Sequence, residues 1–230
     1  IEGGHEEAGK GPSIWDHFCG KEGAIQNGDR GDTACDHYHR YKEDVQLMKN
    51  MGVTAYRFSI SWARILPQGK GAVNEAGIQF YSDLIDELLS AGITPWVTLY
   101  HWDLPLTLQL EHDGWLSAGI AEYFKDYADL CFERFGDRVQ NWITLNEPWV
   151  VAILGHGQGV FAPGRASNDE PYLAAHNLIR SHGKAVQLYR SKYAHQKGQI
   201  GMSNNCDWRE PLTDDPLDRE AAQRALEFFL

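Results

Sequence analysis

The run Thr144-Leu145-Asn146-Glu147-Pro148 puts a carboxylate at the end of an apolar stretch, beside an amide and against a proline. Proline stiffens the backbone, so Glu147 is held on a fixed support, as a group that delivers a proton to one place must be. A lone glutamate in such a place also serves as a helix cap or a loop acid, and its company decides between the readings. Other apolar runs end in His101-Trp102-Asp103 and in Asn204-Asn205-Cys206-Asp207-Trp208, and a third carries Arg57 and Ser59. Hydroxyl groups need donors and acceptors together, and flat rings with a polar edge suit the faces of a pyranose. The chemistry open to such a set is cleavage of a glycosidic bond. That reaction needs two carboxyl groups, one as acid and the other as nucleophile or base.

Each neighbour has a plainer alternative. His101 alone reads as a satisfied structural histidine; next to Trp102, and one strand from Glu147, it reads as a partner for sugar hydroxyls. Arg57 lies in a run that is otherwise apolar, so if buried it must be paired with a carboxylate, and no partner is evident in the sequence. No second histidine lies at ligand spacing on one element, so no metal site is expected. The glycines near Gly69 and Gly71 do not sit between a strand and a helix as a phosphate loop requires, and no cofactor is expected.

The residues must be positioned by a chain that alternates helix and strand. Apolar residues at helical spacing over Tyr41–Met51 end at Gly52, and Val53–Trp62 follows as a buried strand. Tyr81, Leu84, Ile85, Leu88 and Leu89 form a stripe closed by Gly92, before a strand over Ile93–Tyr100. A helix over Ala118–Phe135 precedes a strand over Val139–Leu145, and a helix over Pro171–Tyr193 precedes a strand over Gln199–Ser203. A last helix begins near Asp215 and is still apolar at Leu230. Strands alternating with helices imply parallel βα units. Near-continuous apolar strands need cover on both faces, and the outer two of four strands would leave open edges. The reading is α/β: residues 1–230 as one incomplete (β/α)₈ barrel domain, with the rest outside the chain and chemistry at the C-terminal ends of its strands. A four-stranded open sheet is the alternative. The long loops Pro12–His37 and Leu104–Leu116 lie where a barrel builds its active face.

Composition removes other classes. A net charge of -11 disfavours nucleic acid and anionic membrane surfaces, which both require a basic footprint. No apolar run approaches the ~18 residues of a membrane-spanning helix, and no charged-then-apolar signal segment opens the chain. Cys19, Cys35, Cys131 and Cys206 are scattered without Cys-x-x-Cys spacing and read as buried thiols of a reducing compartment. With no Asn-x-Ser/Thr acceptor, a cytoplasmic, bacterial setting is the expectation. Eight tryptophans and ten tyrosines serve either the core or a sugar site, and only position chooses between them.

Taken in order, Tyr56-Arg57-Phe58-Ser59-Ile60-Ser61-Trp62-Ala63-Arg64-Ile65-Leu66-Pro67, Leu99-Tyr100-His101-Trp102-Asp103-Leu104-Pro105 and Thr144-Leu145-Asn146-Glu147-Pro148-Trp149 resemble the signatures of glycoside hydrolase family 1. Ile1-Glu2-Gly3-Gly4, Gly11-Pro12-Ser13-Ile14-Trp15-Asp16 and Ala162-Pro163-Gly164 fit the same pattern. The resemblance implies an eight-fold barrel, present here as roughly strands 2 to 5, that hydrolyses β-linked glucosides, cello-oligosaccharides included, or galactosides with retention. It implies Glu147 as acid/base, with His101, Trp102 and Asn146 holding the non-reducing sugar. Arg57 would pair with the nucleophilic carboxylate, and Trp149, Leu154, Asn205 and Trp208 would lie towards the leaving group. Neither Asp103 nor Asp207 matches the family's nucleophile, which is expected in a missing half of the barrel, so the chain alone is expected to be inactive or nearly so. A non-catalytic sugar-binding fragment and a 6-phospho-β-glycosidase are the competing readings.

Overall fold

The computed structural model describes residues 2–229. Ile1 of the opening motif and Leu230, where the last helix was expected to be still running, lie outside the described residues. Four strands, β1 (Ala55–Ser59), β2 (Thr94–Tyr100), β3 (Asn141–Asn146) and β4 (Gln199–Ser203), form one parallel sheet in sequential order. In chain order the helices are α1 (Ile14–Cys19), α2 (His37–Asn50), α3 (Trp62–Ile65), α4 (Glu75–Ser90), α5 (Leu106–His112), α6 (Ile120–Phe135), α7 (Pro148–Val150), α8 (Glu170–Lys192) and α9 (Pro216–Phe229). Each sheet strand is thus reached from its predecessor through helix, as parallel pairing demands.

The apolar stripes explain the packing. Tyr81, Leu84, Ile85 and Leu88 of α4 and Phe124, Tyr127, Cys131 and Phe135 of α6 are buried, Leu89 at the end of the α4 stripe is exposed instead, and α6 packs along α8. On the strands, Val97, Leu99, Trp142 and Leu145 are fully enclosed. The other face of the sheet is not covered by helix: Arg57 is exposed, and Trp96 and Ile143 are only half-buried. The expected two-sided cover is therefore found on one side only. On that face Arg57 is exposed, while Thr98 and Asn146 lie buried beneath it as its hydrogen-bond partners.

Several expectations are corrected. The first strand is shorter than Val53–Trp62 and half-exposed, because it lies at the sheet edge; Trp62 instead opens α3 and is fully buried, stacked on Tyr127 at 4.7 Å. Helix α2 begins four residues earlier than Tyr41, after Asp36 turns the chain at φ 56°. The long loops contain the short helices α1 and α5. Of the cysteines, Cys131 alone is buried; Cys19 is half-buried, and Cys35 and Cys206 are exposed. Position also sorts the tryptophans: Trp62, Trp115 and Trp142 are core, while Trp102 and Trp149 are half-buried at strand ends. Among the described residues no helix is long and apolar enough to cross a membrane.

Candidate active site

The polar residues gather at the C-terminal ends of β1, β2 and β3. Within β3 the register slips between Ile143 and Asn146. In a regular strand Thr144 and Asn146 would share a face. The irregularity separates them. Thr144 Oγ1 meets His182 Nδ1 of α8 at 2.7 Å, while Asn146 turns to the open face and accepts from Arg57 through Oδ1. Bulges of this kind re-aim a side chain beside a site.

Arg57 is a donor only, so its bond identifies the Asn146 oxygen, and Nδ2 is left to donate to His101 Nε2 at 3.1 Å. The accepting Nε2 requires a neutral imidazole. Desolvation of the ring, with the Arg57 guanidinium second, pushes His101 down to about 4, in the same direction. Arg57 also donates from Nε to Thr98 Oγ1 at 3.0 Å and from Nη1 to Ser203 Oγ at 3.5 Å. The sequence does not single out Thr98 or Ser203: a hydroxyl inside β2 and one that ends β4 carry no spacing signal of their own. Among the described residues no carboxylate pairs with Arg57. Being exposed, it does not need one to be tolerated.

Trp102 stands at φ 80°, a conformation that a bulky side chain rarely takes, and its Nε1 donates to the Asn146 carbonyl at 3.0 Å. Its ring meets His101 edge-on at 5.0 Å and Phe161 at 5.7 Å. Glu147 follows Asn146 at φ 47° and ψ 64°, also left-handed, with Pro148 as first residue of α7. Its amide donates to the Ser203 carbonyl at 2.7 Å, which ties the end of β3 to β4. Two non-glycine residues with left-handed backbone within one cluster mark the strain that functional sites tolerate. The Glu147 side chain is half-buried, and among the described residues no donor reaches its carboxylate.

Trp149 lies half-buried in α7, and Leu154 lies in the π-helix Val151–Gly157 that continues it. Asn205 and Trp208 follow β4 outside regular structure. Trp208 is 71% exposed and donates to Glu210, while Asn205 Oδ1 is buried without a partner. The structure thus joins Arg57, Asn146, His101 and Trp102 through hydrogen bonds, with Glu147 next in the chain. No hydrogen bond draws Asn205 or Trp208 into that group among the described residues.

A carboxylate on a strained, proline-locked turn, beside an amide, an imidazole and an indole in hydrogen-bonded order, is equipped to hold a polyhydroxyl ligand and pass a proton to it. Comparison with known proteins points the same way. Beta-glucosidase 42 of Arabidopsis thaliana is 56% identical over 234 residues, covering 100% of this chain and 48% of its own length. Furcatin hydrolase of Viburnum furcatum is 54% identical, covering 100% of this chain and 45% of its own. The rice Os3BGlu6 beta-glucosidase superposes with a TM-score of 0.98 at 49% identity, over 100% of this chain and 51% of that one, and a mutant of it is known in covalent complex with glucose. The family 1 β-glucosidase of Thermotoga maritima gives a TM-score of 0.93 at 51% identity, over 97% of this chain and 49% of that one. The chain spans about half the length of these relatives. The pattern of glycosyl hydrolase family 1 matches residues 1–230 from end to end, and the chain belongs to that family.

Proposed function

We propose that the protein carrying this chain is a retaining β-glucosidase in which Glu147 is the acid/base and residues 1–230 are strands 2 to 5 of its barrel with their helices. The observation that carries this is the placement of Glu147: a half-buried carboxylate on a left-handed turn, one residue after the amide that links Arg57 to His101. Asn146, His101 and Trp102 hold the non-reducing sugar, and Trp149 and Leu154 face the leaving group. Asn205 and Trp208 are assigned to that side on family likeness alone. Arg57, with only neutral acceptors here, is left to meet the nucleophilic carboxylate, which we place in a segment outside this chain.

In the first step the Glu147 carboxyl gives its proton to the glycosidic oxygen as the C1–O bond breaks. The nucleophile takes C1, and the alcohol leaves. In the second step Glu147, now a carboxylate, takes a proton from water, whose oxygen attacks C1 and frees the nucleophile. The covalent glucose complex of the rice relative supports the first half of this course.

The test is Glu147→Gln in the full-length enzyme. It should lose ~10²–10⁴-fold in kcat/KM, which reports the glycosylation step, on alkyl β-glucosides, and far less on an aryl β-glucoside with an acidic phenol, which leaves without help. Equal losses on both would overturn the assignment. A second reading, a sugar-binding fragment without catalysis, is favoured by the Arg57 that has no carboxylate partner among the described residues. Residues 1–230 alone would then bind a β-glucoside in calorimetry and release no product.

A further inference from the structure

His156 is fully buried inside the π-helix Val151–Gly157, and nothing in the reaction uses it. Its Nδ1 lies 2.9 Å from the carbonyl of Val151, five residues back. A carbonyl only accepts, so the proton sits on Nδ1, and Nε2 is a bare nitrogen buried without a partner. Burial lowers the affinity of the ring for a second proton. A π-turn is a rare winding that needs support, and it recurs at functional sites.

The same turn holds the loop that follows it. The amides of Phe161, Arg165 and Ser167 donate to the carbonyls of Leu154, Gly155 and Gly157 at 3.1, 3.0 and 3.1 Å. Phe161 thereby places its ring against Trp102 and, at 5.5 Å, against Trp15. Phe161, Trp15, Trp102, Val150 and Val151 line one small cavity. A continuous path of contacts therefore runs from His156 through the π-turn and Phe161 to Trp102, whose indole holds the Asn146 carbonyl.

We propose that His156 is a positioning residue: its bond to the Val151 carbonyl fixes the π-helical register that sets Leu154 on the leaving-group side and packs Phe161 against Trp102. This deepens the glucosidase reading and rests on it.

The experiment compares His156→Phe, which keeps a ring without a donor, with His156→Gln, which keeps a donor, in the full-length enzyme. In hydrogen exchange, the Phe variant should speed exchange at the amides of Phe161, Arg165 and Ser167 at least tenfold and leave β3 unchanged. The Gln variant should stay within about threefold of the parent. Parent-like exchange in the Phe variant, or loss in the Gln variant equal to that in the Phe variant, overturns the proposal. If the Phe variant does not fold, the Gln variant still decides, since lost protection there overturns it. In kinetics, the Phe variant should lose about tenfold in kcat/KM, through KM, on an aryl β-glucoside. It should lose clearly less on β-glucosyl fluoride, which has no aglycone for Leu154 to meet. Equal losses on the two substrates overturn the role. A parent enzyme inert to both substrates would sink the glucosidase reading instead, and the exchange pattern would still judge the His156 bond.

Discussion

Asn146 donates from Nδ2 to His101 Nε2 at 3.1 Å, and this bond fixes the direction of a chain of donors that starts at Arg57. Arg57 can only give, so Asn146 receives on its oxygen and gives from its nitrogen, and His101 is held as the neutral acceptor. Its Nδ1–H is then a donor, which the proposed function assigns to a sugar hydroxyl.

Asn146→Asp should reverse the end of that chain. A carboxylate would pair with Arg57 and favour the protonated imidazole in place of an acceptor. His101, now held near pH 4, should titrate well above that, as read from its ring resonances in NMR. Affinity for the sugar should fall in parallel, because a donor has been lost. A ring that still titrates near 4 would show that Asn146 does not set its state.

Trp102→Phe keeps an aromatic face but removes the indole donor from the Asn146 carbonyl. A hydrogen bond of this kind contributes about 1 kcal/mol, so the change should cost roughly five- to tenfold in kcat/KM. Loss through KM, with kcat kept, would show that the indole positions the sugar uniformly rather than in the transition state alone. Full activity in the Phe variant would remove the hydrogen bond from the account.

Much of this arrangement is legible in the sequence. The stripes of α4 and α6 follow from 3.6-residue spacing. The four strands follow from their apolar runs, and Glu147 from its place at the end of one of them. Other features are not, because they depend on contacts distant in sequence. Edge exposure of β1 is decided by which strand lies beside it, so the sequence leaves open whether Arg57 is buried and must be paired, and the structure shows it exposed. The slip at Asn146 and the left-handed turns at Trp102 and Glu147 have no residue signature, since neither position is glycine. The π-turn arises within a sequence, Val151-Ala152-Ile153-Leu154-Gly155-His156-Gly157, that reads equally well as ordinary helix.

A second such feature is the buried ion pair of Arg64 and Glu2. Arg64 has no exposed side-chain surface. It donates to Glu2 at 2.6 Å and to the carbonyls of Gly3 and Gly4, while the Tyr81 hydroxyl also donates to Glu2. The pair ties residues 2–4 to α3, the short helix after β1. Glu2→Ala would leave a buried guanidinium without its counter-charge, at a cost of about 3 kcal/mol or more in urea unfolding. Glu2→Gln, which keeps an acceptor, should cost less. Equal stability of all three proteins would mean that the two glycine carbonyls suffice.

His101 and Asp103, two residues apart, are both biased towards their uncharged forms, and they act on stability in opposite directions. Burial raises the Asp103 carboxyl to about 6, against the pull of Lys10, and its Oδ1 is buried without a hydrogen-bond partner. Between pH 3.8 and 6 the folded protein therefore holds the Asp103 proton more tightly than the unfolded chain does, so this contribution to stability is lost as pH rises through 6. For His101 the unfolded chain binds the proton more tightly between pH 4 and 6.5, so stability falls as pH drops through that window. The two slopes oppose each other over nearly the same range and should largely conceal one another in the parent protein. Asp103→Asn removes one of them. The variant should melt higher than the parent at pH 7.5, lose that advantage near pH 4, and show the uncompensated His101 slope in between. Thermal unfolding followed from pH 4 to 8 in both proteins measures this. A variant that melts lower than the parent at pH 7.5 would mean that the Asp103 carboxylate is stabilised as an ion, by Lys10 or by Ser61 beside it.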